Sequence, residues 1–190
     1  MANFNISHEI VMDIEGGYSC DPIDIGGETY KGISRKYNPD WKGWEIIDEY
    51  KNQPNFPNNI NSSILVMHER SLYKEKYWDR FKGDHIQDQE IANELYDISV
   101  NMGLKRAVEF LQKAINVLNR NQKDYPNISE DGIMGSDTLN VLNNNPKNFG
   151  HIFNILNILQ GYHYIKNMKD NETQERFARG WLSRVEIRRT

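Results

Sequence analysis

The chain has 190 residues, of which 38% are hydrophobic, 11% aromatic and 26% charged, the composition of a folded chain with one sizeable core or a core and a small lobe, not of a disordered one. Its formal net charge of −4 gives no reason to expect nucleic acid as a partner. The single cysteine, Cys20, excludes an intramolecular disulfide and any cysteine-based zinc site.

The opening stretch, MANFNISHEIVMDIE, lacks the basic segment and apolar core of a signal peptide. No apolar run approaches the ~18–20 residues that span a bilayer. Synthesis in the cytoplasm, without stable membrane insertion, is therefore expected. Ile6, Ile10, Val11 and Ile14 recur at helical spacing and predict a first helix over residues 6–15, stopped by Gly16 and Gly17. Turn formers dominate from Tyr18 to Tyr37, with short extended pieces between them. Residues 38–62 read as helical turns and loop, broken by Pro39, Pro54 and Pro57.

Residues 62–81 carry Leu65, His68, Leu72, Tyr73, Tyr77, Trp78 and Phe81, a helix with an aromatic end. A further helix over 89–102 follows from Ile91, Leu95, Ile98 and Met102, with Gly103 as its stop. Ala107, Val108, Leu111, Ala114, Ile115 and Leu118 form the cleanest amphipathic stripe. After a polar stretch, DGIMGSD (131–137) reads as a glycine-rich turn with Ser136 as the cap of a helix; it lacks the alternating acids of a calcium loop. Two last helices are predicted over 146–168 and 172–186, the second burying Phe177, Trp181 and Val185. Residues 161–190 hold seven Lys/Arg against four Asp/Glu, read as a solvated helix face. The whole is mainly α.

Glu15 stands at the predicted C-terminal end of the first helix, where the macrodipole disfavours a negative charge. Apolar neighbours would push it further toward the protonated form that a general acid needs. Asp21, Asp24 and Glu28 are candidates for a second acid, and a carboxyl pair beside an open glycine-rich loop suits glycosidic hydrolysis. Taken alone, the same residue types are common at loop edges, and chemistry by itself favours that ordinary reading. Cys20 has no histidine near it in sequence and reads as incidental. His8, His68, His85, His151 and His163 show no metal-binding spacing, so no metal or other cofactor is expected. Trp78, Trp181 and Phe177 read as core, and Trp41 and Trp44 as candidates for a cleft wall.

The stretch EGGYSCDPIDIGGETYKGIS (15–34) closely resembles the signature of glycoside hydrolase family 108, phage-type lysozyme-like muramidases also described as secretion activators. The pattern E-G-G-Y, D-P-x-D-x-G-G-x-T and G-I is met by Glu15, Gly16, Gly17 and Tyr18, by Asp21, Pro22, Asp24, Gly26, Gly27 and Thr29, and by Gly32 and Ile33. The segments Leu95–Asn116, Asp131–Leu139 and Arg176–Val185 look like the peptidoglycan-binding-type helical region that follows in this family.

The resemblance implies a lysozyme-like helical fold with a small extended, β-like loop lobe after the first helix. It implies a catalytic region over 1–90 and a peptidoglycan-binding-type region over 91–190, packed together as one compact unit. Glu15 matches the family's proton donor to the bond between N-acetylmuramic acid and N-acetylglucosamine. Phage lysozymes of the broader lysozyme-like superfamily place an Asp and a Thr downstream of the acid to position water, and Asp24 and Thr29 are the candidates for those places, with a turn residue and a strand hydroxyl as the alternatives. Tyr18, Gly26, Gly27 and Tyr30 are the candidate substrate-binding residues. The implied partner is the peptidoglycan glycan strand, reached through a holin-like pore or an export system. The implied role is wall lysis, as by an endolysin, or wall remodelling for secretion. A non-catalytic peptidoglycan-binding or secretion-accessory protein, and a lytic transglycosylase, are the alternatives.

Overall fold

In the computed structural model, which describes residues 1–12, 17–20 and 27–189, the chain is mainly helical with one small antiparallel sheet after the first helix. This is the mainly α, lysozyme-like class expected, with the extended lobe where it was predicted. Among the described residues no helix is long and apolar enough to cross a membrane. Two compact units are formed: His8–Lys76, and Met1–Ser7 with Tyr77–Thr190.

Helix α1, Phe4–Met12, starts two residues before the predicted onset, and its buried positions differ from the predicted stripe. Phe4, Ser7, His8 and Val11 are buried, whereas Ile6 and Ile10 are 46% and 49% exposed. Ile14 and the predicted stop at Gly16 lie outside the described residues. Two apolar phases were available to this helix, and Phe4 selects one of them. Its ring stands edge-on to Trp78 and Tyr96, 5.7 and 5.8 Å between centroids, burying more apolar area than an isoleucine would.

In the unit His8–Lys76, strands β1 (Tyr18–Cys20), β2 (Glu28–Tyr30) and β3 (Ile33–Ser34) pair antiparallel in the order β1-β2-β3. The β2–β3 connection is the two-residue turn Lys31-Gly32, both at positive φ (44° and 75°), the primed hairpin geometry whose twist matches the strands. Helix α2 covers Gly43–Lys51 and α3 covers Ser63–Tyr73, capped by the Ser62 hydroxyl accepting from the Leu65 amide at 3.2 Å. Leu65, Glu69 and Tyr73 line the buried face of α3. His68 and Leu72, placed on that face by the sequence pattern, are only half-buried. A π-helical turn, Lys74–Trp78, follows. Trp41 and Trp44 pack edge to face at 5.1 Å, and their indole N–H groups donate to the carbonyls of His68 (3.1 Å) and Asn38 (2.8 Å). A side chain at Gly43 would overlap the Trp41 ring, so the start of α2 requires glycine.

In the larger unit, Trp78 is fully buried among Phe4, Phe81 and Tyr96, and donates its indole N–H to Asp84 at 2.7 Å. Helices α4 (Gln89–Met102) and α5 (Leu104–Val117) meet at Gly103, whose φ of 89° turns the chain between them. Helix α6 spans Ser136–Asn143, α7 spans Phe149–Asp170 and α8 spans Ala178–Leu182. The core is the mutual packing of α4, α5 and α7 through Ile91, Leu95, Leu111, Ile115, Ile152 and Leu156. Ser136 is the first residue of α6 rather than its cap, a position taken by Gly135.

The C-terminal part departs from the predicted single helix over 172–186. A 3-10 segment, Glu172–Phe177, leads into the short α8, and after a turn at Ser183 and Arg184 the chain has no regular structure. Phe177 is 41% exposed, and Trp181 and Val185 are half-buried. Trp181 stacks on Tyr164 and Phe177, at 5.1 and 5.7 Å. Lys166, Lys169, Arg176 and Arg179 are exposed on helical segments as expected, whereas Arg184 and Arg188 are not part of a solvated helix face. Arg184 pairs with Asp97 at 2.6 Å, and Arg188 pairs with Glu186 and Glu90 while lying 4.1 Å from the Phe153 ring centroid. Asn154 and Asn157 accept the backbone N–H groups of Arg188 (2.9 Å) and Glu186 (2.6 Å). This strap is held by fixed polar partners, which no apolar periodicity announces.

Beside it, Glu94 of α4 is buried and its Oε1 has no hydrogen-bond partner. Burial first, and then the charge of Asp97, raise its pKa from 4.5 to about 8. The folded chain therefore keeps this proton between about pH 4.5 and 8, where the unfolded chain releases it. The stability conferred is full below 4.5 and declines as the pH rises toward 8. Thermal melts of wild type and Glu94→Gln from pH 5 to 9 should diverge, the wild type losing more stability with rising pH. Parallel curves would show an ordinary carboxylate at this position.

Candidate functional site

Of the expected site residues, Tyr18, Thr29 and Tyr30 lie in the sheet of the smaller unit and Gly27 directly before its second strand. Glu15, Asp24 and Gly26, with Gly16, Asp21 and Pro22, lie outside the described residues. Gly27 immediately precedes β2 at φ 65°, where a side chain would be strained. Thr29 occupies the middle of the central strand, directly opposite Ser19 on β1 and Ser34 on β3. Opposed residues share a face of the sheet, so three hydroxyl side chains form one row across it. That row runs from exposed Ser19 through half-buried Thr29 to buried Ser34.

The opposite face carries Tyr18, Tyr30 and Ile33, aligned across the three strands by the same register. Tyr30 is 7% exposed and stacks on Trp41 at 6.1 Å. Burial, with the charge of Glu69 secondary, raises its phenol pKa. Tyr18 is half-buried, edge-on to Phe56 at 4.6 Å. Burial and the nearby Glu28 carboxylate push its phenol up, so it remains a neutral donor. Cys20 is exposed, with a free thiol.

Glu28, a candidate second acid, is built into an ionic cluster that joins the sheet to α2. It meets Arg35 at 3.1 Å and Lys51 at 2.6 Å, and Asp48 meets the same two cations at 2.6 and 2.8 Å. The Arg35 guanidinium also lies over the Trp44 ring, 4.7 Å from its centroid. Hydrogen bonds from Arg35 and Lys51 hold the Asp48 carboxyl below its usual range. Two acids facing two cations leave no charge unmatched, an arrangement that orders the lobe.

A buried pair in this unit was missed by sequence pattern. His8 Nε2 of α1 lies 2.9 Å from Glu69 Oε1 of α3, with side chains 2% and 1% exposed. Tyr73 lies against the His8 ring at 5.6 Å and donates its hydroxyl to the carbonyl of Lys31 at 2.8 Å. The pair, Tyr73 and the hairpin turn thus form one connected set. The signal available was a polar residue in each buried stripe: His8 between Phe4 and Val11, and Glu69 between Leu65 and Tyr73. A groove of about 490 Å³ in the same unit is walled by Trp41, Lys42, His68, Leu72, Glu75 and Lys76 among others. Trp41 reaches this wall, whereas Trp44 belongs to the core.

The family model described as Glycosyl hydrolase 108 matches residues 8–103, and that described as Predicted Peptidoglycan domain matches residues 106–186. Among solved structures, that of Brucella abortus SagA is similar in fold, with a TM-score of 0.62 and 24% identity over 96% of this chain and 88% of that one. No curated protein matches the chain. The two family matches mark a protein that acts on peptidoglycan, with a glycoside-hydrolase region followed by a peptidoglycan domain.

The buried pair has a measurable consequence. Removing one partner of a buried polar pair leaves the other unmatched, at a cost of about 1–3 kcal/mol. Glu69→Ala should therefore lower unfolding stability in urea by that order. A loss under about 1 kcal/mol, the range of exposed ion pairs, would contradict this role.

Proposed function

Because the chain belongs to the glycosyl hydrolase 108 family, we propose that it hydrolyses the β-1,4 bond between N-acetylmuramic acid and N-acetylglucosamine in peptidoglycan. The observation that supports the reading is the coincidence of the family match with an intact E-G-G-Y segment, whose Glu15 we take as the proton donor. Residues 1–90 carry the chemistry and residues 91–190 engage the wall polymer. A holin-like pore or an export system brings the enzyme to the wall.

In the proposed reaction Glu15 protonates the glycosidic oxygen while charge develops on the sugar ring as an oxocarbenium-like transition state. Asp24 stabilises that charge or holds the attacking water. Thr29 assists with its hydroxyl, supported by its place in the row with Ser19 and Ser34. Gly26 and Gly27 let the glycan approach the backbone closely. Tyr18 and Tyr30 shape the lobe behind the hydroxyl row, Tyr18 also being available to a bound sugar. No step requires a metal.

Clearing of purified sacculi tests the assignment. Positioned general acids contribute roughly 10²–10⁴-fold, so Glu15→Gln should slow clearing by that order with an unchanged melting temperature. Thr29→Ala should slow it less, by about tenfold, in keeping with a hydrogen-bonding role worth ~1.5 kcal/mol. Clearing by Glu15→Gln at the wild-type rate would end the assignment.

A further inference from the structure

In the larger unit, a cavity of about 470 Å³ opens between the first turn of α6 and the loop over residues 126–135, a size typical of small-ligand sites. The loop lacks regular structure, yet three amide side chains on one face of α5 and its C-terminal end hold it. Gln112, 1% exposed, places Nε2 at 2.9 Å from Asp131 Oδ1, 3.1 Å from the Ile133 carbonyl and 3.3 Å from Thr138 Oγ1. Its Oε1 accepts the Gly132 amide at 2.8 Å. One turn on, Asn116 brackets Ile128, donating to its carbonyl and accepting its N–H, both at 2.9 Å. Asn119 donates to Asn127. Gly132 sits at φ 75° where a side chain would strike Lys105, so its backbone can be made only with glycine.

The result is a cavity preformed by polar bonds rather than by apolar packing, its lining exposed at Asn127, Asp131, Ile133, Asp137 and Asn140. That lining combines the carboxylates of Asp131 and Asp137, the amides of Asn127 and Asn140, and the branched side chains of Ile128 and Ile133. Neither an aromatic ring nor a Lys or Arg is among the lining residues. A sugar ring would find no aromatic plane for its apolar face. The methyl side chains, amide groups and ammonium of a peptide each find a counterpart there, and its carboxylates are left to solvent. Hydrogen bonds from Gln112 and the Ile133 amide hold the Asp131 carboxyl below its usual range, so it is ionised at neutral pH.

We propose that this cavity binds the peptide stem of peptidoglycan, the ammonium of the stem's diamino residue facing Asp131 and Asp137 and its alanine methyl groups resting on Ile128 and Ile133. The proposal rests on the reading that the chain acts on peptidoglycan and adds that its second region recognises the peptide, not the glycan. Titration of the full chain with a synthetic stem peptide, L-Ala-γ-D-Glu-L-Lys-D-Ala-D-Ala, tests it by calorimetry, with glycan chains stripped of stems as competitor.

The stem should bind wild type and should not be displaced by stripped glycan. Asp137→Lys and Ile133→Glu should each weaken binding by at least about tenfold, a difference of ~1.4 kcal/mol. Both positions are exposed, Ile133 by 67%, so both variants should keep the wild-type melting temperature. No binding to wild type, equal binding by both variants, or displacement by stripped glycan would each overturn the assignment. The titration involves no bond cleavage. Absence of stem binding therefore counts against the cavity alone, and a chain that binds the stem but cleaves no wall polymer counts against the muramidase reading alone.

Discussion

The contact between His8 and Glu69, 2.9 Å apart with both side chains almost wholly removed from solvent, is the constraint on which the smaller unit depends. Charged or strongly polar groups buried in this way persist only when matched, so the two helices that carry them can approach in one register. Tyr73, a turn beyond Glu69 on α3, adds its ring against His8 and its hydroxyl on the Lys31 carbonyl. Tyr30, next in sequence to that turn, stacks on Trp41. One polar contact between α1 and α3 is thereby continuous with the hairpin that carries Thr29.

The two units obtain order by different means. In the smaller, helices and a minimal sheet leave little room for an apolar core, and compensated charges supplement it: Glu28 and Asp48 face Arg35 and Lys51 across the gap between β2 and α2. In the larger, α4, α5 and α7 supply a conventional apolar core, and asparagine and glutamine fix what the core does not reach. Gln112 and Asn116 hold the loop 126–135, and Asn154 and Asn157 hold the C-terminal strap. Amide side chains suit this task because each offers a donor and an acceptor to a backbone whose own groups find no helical or strand partner.

Much of this organisation is legible in the sequence where one apolar phase dominates. The helix over 89–102 ends where Gly103 requires it to, and α5 follows the stripe of Ala107, Leu111 and Ile115. Where two phases compete, pattern misleads: Ile6 and Ile10 look like core and face solvent, because Phe4 sits deeper in an aromatic cluster assembled from residues more than seventy positions away. Phe177 and Trp181 fail similarly, since Trp181 stacks on Tyr164 and Phe177 on Trp181, without full burial of either. Polar constraints are the least legible. His8 and Glu69, or Gln112 and Gly132, acquire meaning only when distant segments meet. The glycine-rich segment after Glu15 was recognisable because its spacing is specific, whereas the row of Ser19, Thr29 and Ser34 requires the strand register.

The bond that is cut is the central claim, and product chemistry tests it most directly. Purified sacculi digested with the enzyme, reduced with borohydride and analysed by mass spectrometry reveal which sugar carries the new reducing end. The account predicts reduced N-acetylmuramic acid. New reducing N-acetylglucosamine, an anhydro-muramic end or a freed peptide would contradict it.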